Sequence, residues 1–207
     1  MTDRPSAVLT GDFVRSRDAG PERLEAGFAA LRRATAEAEP WAGDLRLTRY
    51  RGDGWQCLVG DARFGLRTAL LCAAHLRAET QLESRIALGL GLVTTLGSTD
   101  LSDADGPAFH RAGQALDAMK RNRRLALAPD DAPPLAPALV TLIDALTRSW
   151  TAAQAAALIP LLPPSAPSQK AVAETLGITA QSLGDRLDAA GWPYLEDALI
   201  EAEEAFR

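Results

Sequence analysis

Asp12 and Asp53 each follow a glycine, in Gly11-Asp12 at the end of an apolar strand and Gly52-Asp53 in a hairpin turn. Carboxylates brought together by folding suit one or two Mg2+ ions carrying nucleotide phosphates, because Mg2+ prefers hard oxygen ligands and keeps part of its shell for water and phosphate. The glycines would let a phosphate approach the backbone. The same dipeptides are also ordinary turn formers. Asp12 and Asp53 are thus the candidate metal ligands, and Mg2+ the cofactor such a pair would take. Four arginines flank them: Arg15 and Arg17 after Asp12, Arg49 and Arg51 before Asp53. Guanidinium forks suit phosphate oxygens. They equally suit structural ion pairs with the aspartates.

Residues 168–192 carry the spacing of a helix-turn-helix. Ser168 is an N-cap for a first helix, Gln169 to Leu176, and Ala173 lets a second helix approach. Gly177 suits the left-handed conformation that ends the first helix. Thr179 caps a second helix, Ala180 to Ala190, on which Leu183 and Leu187 share one face. Gln181, Ser182 and Arg186 are left outward to read bases, with Lys170 and Thr179 at phosphate. A generic helical hairpin would share part of this pattern.

Other candidates carry less. Lys120-Arg121-Asn122-Arg123-Arg124 is the densest positive run and suits either DNA backbone or a solvated helix end. His75 lies among apolar helical residues, as a hydrogen-bonded core histidine would. Neither Ser nor Cys has a His and acid arrangement for nucleophilic catalysis. Cys57 and Cys72 read as buried thiols. Trp41, Trp55, Trp150 and Trp192 read as packing anchors, with Trp55 near enough to Asp53 to stack on a base.

The elements that must position these residues follow from periodicity. An apolar strand over Ala7 to Thr10 precedes a helix over 21–39, where Leu24, Phe28 and Leu31 give a buried stripe. Alternating strands at 45–50 and 55–59 flank a hairpin turn, 51–54. A helix over 64–79, a buried strand over 85–94, a helix over 107–121 and a short strand at 125–128 complete an order that contains the split β-α-β unit of ferredoxin-like sheets. In that topology the first strand lies beside the hairpin, so Asp12 and Asp53 could meet at one sheet edge. Pro129, Pro133, Pro134 and Pro137 read as a linker. Beyond them the pattern is helical: 135–149, then 152–162 behind a Thr151/Gln154 capping box, the two helices above, and a last helix over 194–206.

The 207 residues are 47% hydrophobic, enough for one or two cores. No apolar run spans a membrane and the N-terminus lacks a signal-peptide core, so a cytoplasmic location is the default expectation. The net charge of −5 lies in residues 150–207, where Lys170, Arg186 and Arg207 face eight acidic residues. Phosphate contacts supply much of DNA affinity, so this sign argues against tight DNA binding by that segment alone.

Three segments, Tyr50 to Gly54, Arg85 to Gly91 and Gly106 to Ala112, resemble class III nucleotidyl cyclases. That resemblance implies a palm-like sheet in which Asp12 and Asp53 match the two metal-holding aspartates. Where the family has a transition-state asparagine and arginine, this chain has His110 and Gln114, which removes the family's cation and leaves a sheet that binds nucleotide or metal without turnover. A resemblance over nearly the whole chain, carried by Leu9 to Arg17, Arg51 to Gln56 and Ser168 to Trp192, is to the SatD family, labelled as transcriptional regulators. The expected fold is therefore α+β: a ferredoxin-like, cyclase-like antiparallel sheet domain (1–128), a proline-rich linker (129–137) and an all-α helix-turn-helix domain (138–207). The first functional reading is a homodimeric DNA-binding regulator whose N-terminal domain senses a nucleotide or other phosphate-bearing molecule. The alternatives are a Mg2+-dependent nucleotidyl- or phosphoryl-transfer enzyme and a protein-interaction module.

Overall fold

The central strand, β1 (Ser6–Phe13), is flanked on both sides by later strands. A computed structural model describes residues 5–50, 52–97, 100–130 and 132–206. β1 is followed by a short helix α1 (Ser16–Ala19), α2 (Pro21–Ala42), the hairpin β2 (Leu45–Arg49) and β3 (Gly54–Val59), then α3 (Gly65–Thr80), β4 (Ser84–Gly91), α4 (Pro107–Ala118) and β5 (Leu125–Leu127). The sheet order is β2-β3-β1-β4-β5. All pairings are antiparallel except β4 with β5. This is the split β-α-β arrangement with one parallel strand added.

Strand alternation divides β1 between two layers. Ala7, Leu9 and Phe13 belong to the cluster formed with Phe28 and Leu31 of α2 and Leu66 and Leu70 of α3. Val8 belongs to a smaller cluster on the other face, with Leu58, Leu101, Ala108, Phe109 and Ala112. Gly89 explains how closely α4 lies on that second face. A Cβ at Gly89 would stand 2.2 Å from the Ala108 carbonyl oxygen and 2.5 Å from the Ala112 nitrogen.

β1 is longer than its sequence suggests. Gly11 and Asp12 read as a turn, yet both remain paired to β3 and β4, Asp12 opposite Gly54 and Arg85. Two ladders of backbone hydrogen bonds override local turn preference in a central strand. α6 (Ala152–Leu158) is shorter than expected, because Pro160 leaves only a 3-10 turn at Ile159–Leu161.

The remaining helices are α5 (Ala136–Ser149), α7 (Gln169–Thr175), α8 (Ala180–Ala190) and α9 (Trp192–Ala205). Ser168 and Thr179 accept the backbone N–H of Ala171 and Ser182 and so cap α7 and α8. Gly177 has φ 64 in the turn between them. Thr151 and Gln154 close a reciprocal capping box on α6. Buried apolar residues from both sides of the proline-rich stretch form one continuous cluster, which runs from Leu9 and Leu70 to Leu158, Leu187 and Leu199. Arg67, 4% exposed, ties the parts together. Its guanidinium donates to Glu203 of α9 and, at 2.7 Å, to the Leu162 carbonyl.

No helix among the described residues is long and apolar enough to cross a membrane.

Candidate active site at the sheet corner

The C-terminal end of β1, the start of β4 and the β2–β3 turn converge at one corner of the sheet. Asp12 stands at the end of β1, directly across from Gly54. Asp53, the residue before Gly54, is thereby brought to the same end. On the other side of β1, Arg85 forks onto Asp12, its Nε donating to Oδ1 at 2.8 Å and its terminal nitrogen to Oδ2. This fork holds the Arg85 guanidinium pKa above its ordinary value, and Asp117 of α4 and Asp53 add to the effect through space. Three carboxylates therefore act on one guanidinium.

The backbone behind the pair is fixed. Ser84 donates its hydroxyl to the Asp12 carbonyl at 2.7 Å and accepts the buried Trp55 indole N–H at 3.0 Å. Gly11 has to be glycine, since a Cβ there would lie 2.6 Å from both the Trp55 ring and the Arg85 carbonyl. Trp55 is 1% exposed and serves as a wall behind the site, not as a surface for a base. In front of the pair there is room. A Cβ added at Gly54 would meet nothing closer than 3.6 Å, and one at Gly52 would meet nothing within 4 Å. Beside this opening, Tyr50 donates to Gln56 at 2.7 Å and Gln56 to Thr10 at 3.3 Å, a polar chain across β1, β3 and the end of β2.

Mg2+ fits this donor set only in part. The ligands are hard carboxylate oxygens, and Mg2+ is commonly held by one or two carboxylates with substrate phosphates and water completing its shell. Among the described residues no group of three or more His, Cys, Asp or Glu could hold a metal ion by itself. A bound Mg2+ would therefore depend on ligand oxygens, and Arg85 would have to give up Asp12.

Of the four flanking arginines, the three described ones, Arg15, Arg17 and Arg49, make no contact with Asp12 or Asp53. Arg49 lies over the Phe28 ring, 4.0 Å from its centroid, pairs with Glu25 and donates to the Gly52 carbonyl. Arg15 is the exposed N-cap of α1, in the left-handed conformation at φ 54, and Arg17 is exposed within α1. Arg51 lies outside the described residues. His110 pairs with Asp105 at 2.8 Å and is exposed, as is Gln114. Within the Lys120–Arg124 run, Arg123 pairs with Asp144 and Arg124 with Glu83, both at 2.7 Å. Lys170, Thr179 and Gln181 are exposed, and Ser182 and Arg186 are half-buried on α8.

Arg85 and Asp117 were not singled out in the sequence. Arg85 alternates with buried neighbours along an apolar strand, which is the one signal that could have marked it as facing the corner.

No family model matches this chain, and no curated protein matches it. The chain does align with solved nucleotidyl cyclase domains. One is the guanylate cyclase domain of RhGC from Catenaria anguillulae in complex with GTP, at 17% identity over 60% of this chain and 78% of that one, with a TM-score of 0.44. A bacterial light-regulated adenylyl cyclase aligns at 12% identity over 60% and 75%, TM-score 0.42. The guanylyl cyclase Cya2 aligns at 14% identity over 60% and 74%, TM-score 0.38. These are distant, partial likenesses from which no activity or ligand is carried to this chain.

Proposed function

We propose that this chain binds a nucleoside polyphosphate together with Mg2+ at the Asp12/Asp53 corner. One observation carries the reading: Asp12, Asp53 and Asp117 act on a single guanidinium, Arg85. A divalent cation would offset the charge of these carboxylates and bridge Asp12 and Asp53 to the phosphate oxygens. Asp12 and Asp53 would hold the ion, which when bound would neutralise phosphate charge. Arg85, released from Asp12, would turn its fork to a phosphate oxygen. The open backbone at Gly52 and Gly54 leaves room for the phosphates.

Binding without cyclisation is the form this reading takes. His110 is held by Asp105 and Gln114 is a neutral amide, so neither matches the transition-state pair of the resembling cyclases. The test is thermal unfolding with ATP and GTP, with and without Mg2+, followed by an assay for nucleotide turnover. Stabilisation that needs both nucleotide and Mg2+ and disappears in Asp53→Asn is expected, with no product formed. Equal stabilisation of wild type and Asp53→Asn would overturn the site, and turnover would convert the reading to the enzyme.

A second reading, DNA binding by Lys170, Thr179, Gln181, Ser182 and Arg186 of a dimer, is favoured by the side-chain caps and exposed N-terminal ends of α7 and α8. It predicts a complex whose affinity falls steeply with salt. A complex that persists in high salt would instead mark a protein partner.

A further inference from the structure

We propose that a second anion site, for a phosphate-bearing small molecule bound without a metal ion, lies in the cleft between α1, the end of α3 and the strand starts of β4 and β5. The cleft has a volume of about 440 Å³ and is lined by Arg15, Arg23, Arg77 and Arg124, with Glu83 and Asp18 as its carboxylates. Four guanidinium groups against two carboxylates leave an excess of two positive charges. That excess suits a ligand carrying at least two negative charges, and the volume is in the range of small-molecule sites.

The arginines are held in place by groups that leave donors over. Glu83 accepts from both Arg77 and Arg124, the latter at 2.7 Å. Arg77 and Arg124 together outweigh the effect of burial and hold the Glu83 carboxyl below its usual range, so the bridge stays charged. A guanidinium has five N–H donors, and one carboxylate does not exhaust two of them. Arg23 donates from Nε to the Thr80 carbonyl at 3.0 Å and from a terminal nitrogen to the Gln81 carbonyl at 3.2 Å. Arg15 has no ion pair or hydrogen-bonded side-chain partner among the described residues. Forked donors fixed in advance lose little freedom on meeting phosphate oxygens.

Backbone strain points to the same place. Among the described residues only two other than glycine have positive φ, Arg15 at 54 and Gln81 at 56, and both line this cleft. Such residues persist where the surrounding structure holds them, and they gather at binding sites. The cleft is separate from the aspartate corner. Along β4 and the residue before it, Glu83 serves the cleft and Arg85 serves Asp12, two positions apart.

The test is calorimetric titration of the full chain with inorganic pyrophosphate in EDTA, which withdraws the metal that the aspartate corner would need. One molecule bound per chain is expected. Arg15→Gly, which keeps the left-handed backbone free of strain, should weaken binding about tenfold, the loss of one charged hydrogen-bonding group. Glu83→Gln should tighten binding, because it removes a competing carboxylate from two arginines. Arg32→Ala, which removes an exposed positive charge elsewhere, should leave binding unchanged. No binding in EDTA would overturn the proposal, as would equal affinity in wild type and Arg15→Gly. Citrate, which matches the charge with carboxylates, is the comparison ligand, and tighter binding of citrate would overturn the phosphate assignment.

Discussion

His75 shows how one buried residue gives the molecule a pH dependence. It joins α2 to α3 through Glu37 at 3.0 Å and Glu79 at 2.6 Å, and its side chain is 7% exposed. Burial alone would lower the imidazole pKa, but the two carboxylates outweigh it and hold it above 6.5. A raised pKa in the folded state means that the stabilisation is complete below about pH 6.5 and is lost as pH rises through the folded value. Wild type should therefore lose melting temperature between about pH 6 and 8 relative to His75→Gln, whose side chain does not titrate. Parallel curves for the two proteins would show that the pair of glutamates does not hold the charged form. Cys57 and Cys72 behave in the opposite way: burial pushes the Cys72 thiol up to about 12 and Cys57 well above its ordinary value, which keeps both inert.

At the scale of elements, the join between helix and sheet rests on Asp144. This α5 carboxylate is 1% exposed. Its Oδ1 accepts the backbone N–H groups of Arg124 and Leu125 at 2.7 and 2.8 Å, and its Oδ2 pairs with Arg123. Asp144→Ala strands these two backbone donors at the start of β5 and should cost about 2–6 kcal/mol in urea unfolding, at about 1–3 kcal/mol for each unsatisfied buried group. Asp144→Asn keeps an accepting oxygen and should recover part of the loss. An Ala variant as stable as wild type would show that β5 is held by packing alone. Most elements were legible in the sequence because their cues are local: the stripe of α2, the caps Ser168 and Thr179, the Thr151/Gln154 box, and the glycine at 177. The strand order followed from chain connectivity. What stayed hidden was long-range. Nothing near Asp12 in sequence says that Arg85 will grip it, nor that Arg15 will face Arg124 across a cleft. Asp144 sits in an amphipathic helix where a polar residue reads as solvated.

At the scale of the molecule, one apolar cluster spans the proline-rich stretch, and Arg67 bonds across it to Glu203 and Leu162. The sheet and the helices that follow it should therefore unfold together. Scanning calorimetry should give one transition with equal calorimetric and van't Hoff enthalpies. Two resolved transitions would show that the parts melt independently.

The central place of β1 also has a consequence in time. This strand is made before the others of its sheet, yet its partner β3 begins at Gly54 and its other partner β4 ends only at Gly91. During synthesis the segment carrying Val8 and Leu9 must wait about fifty residues for the partner on one edge and about eighty for the partner on the other. Contacts so distant along the chain slow folding. An unpaired apolar strand is the kind of surface on which nascent chains associate. The corner that holds Asp12 begins with the first strand of the sheet and is complete only when the start of β4 has joined it.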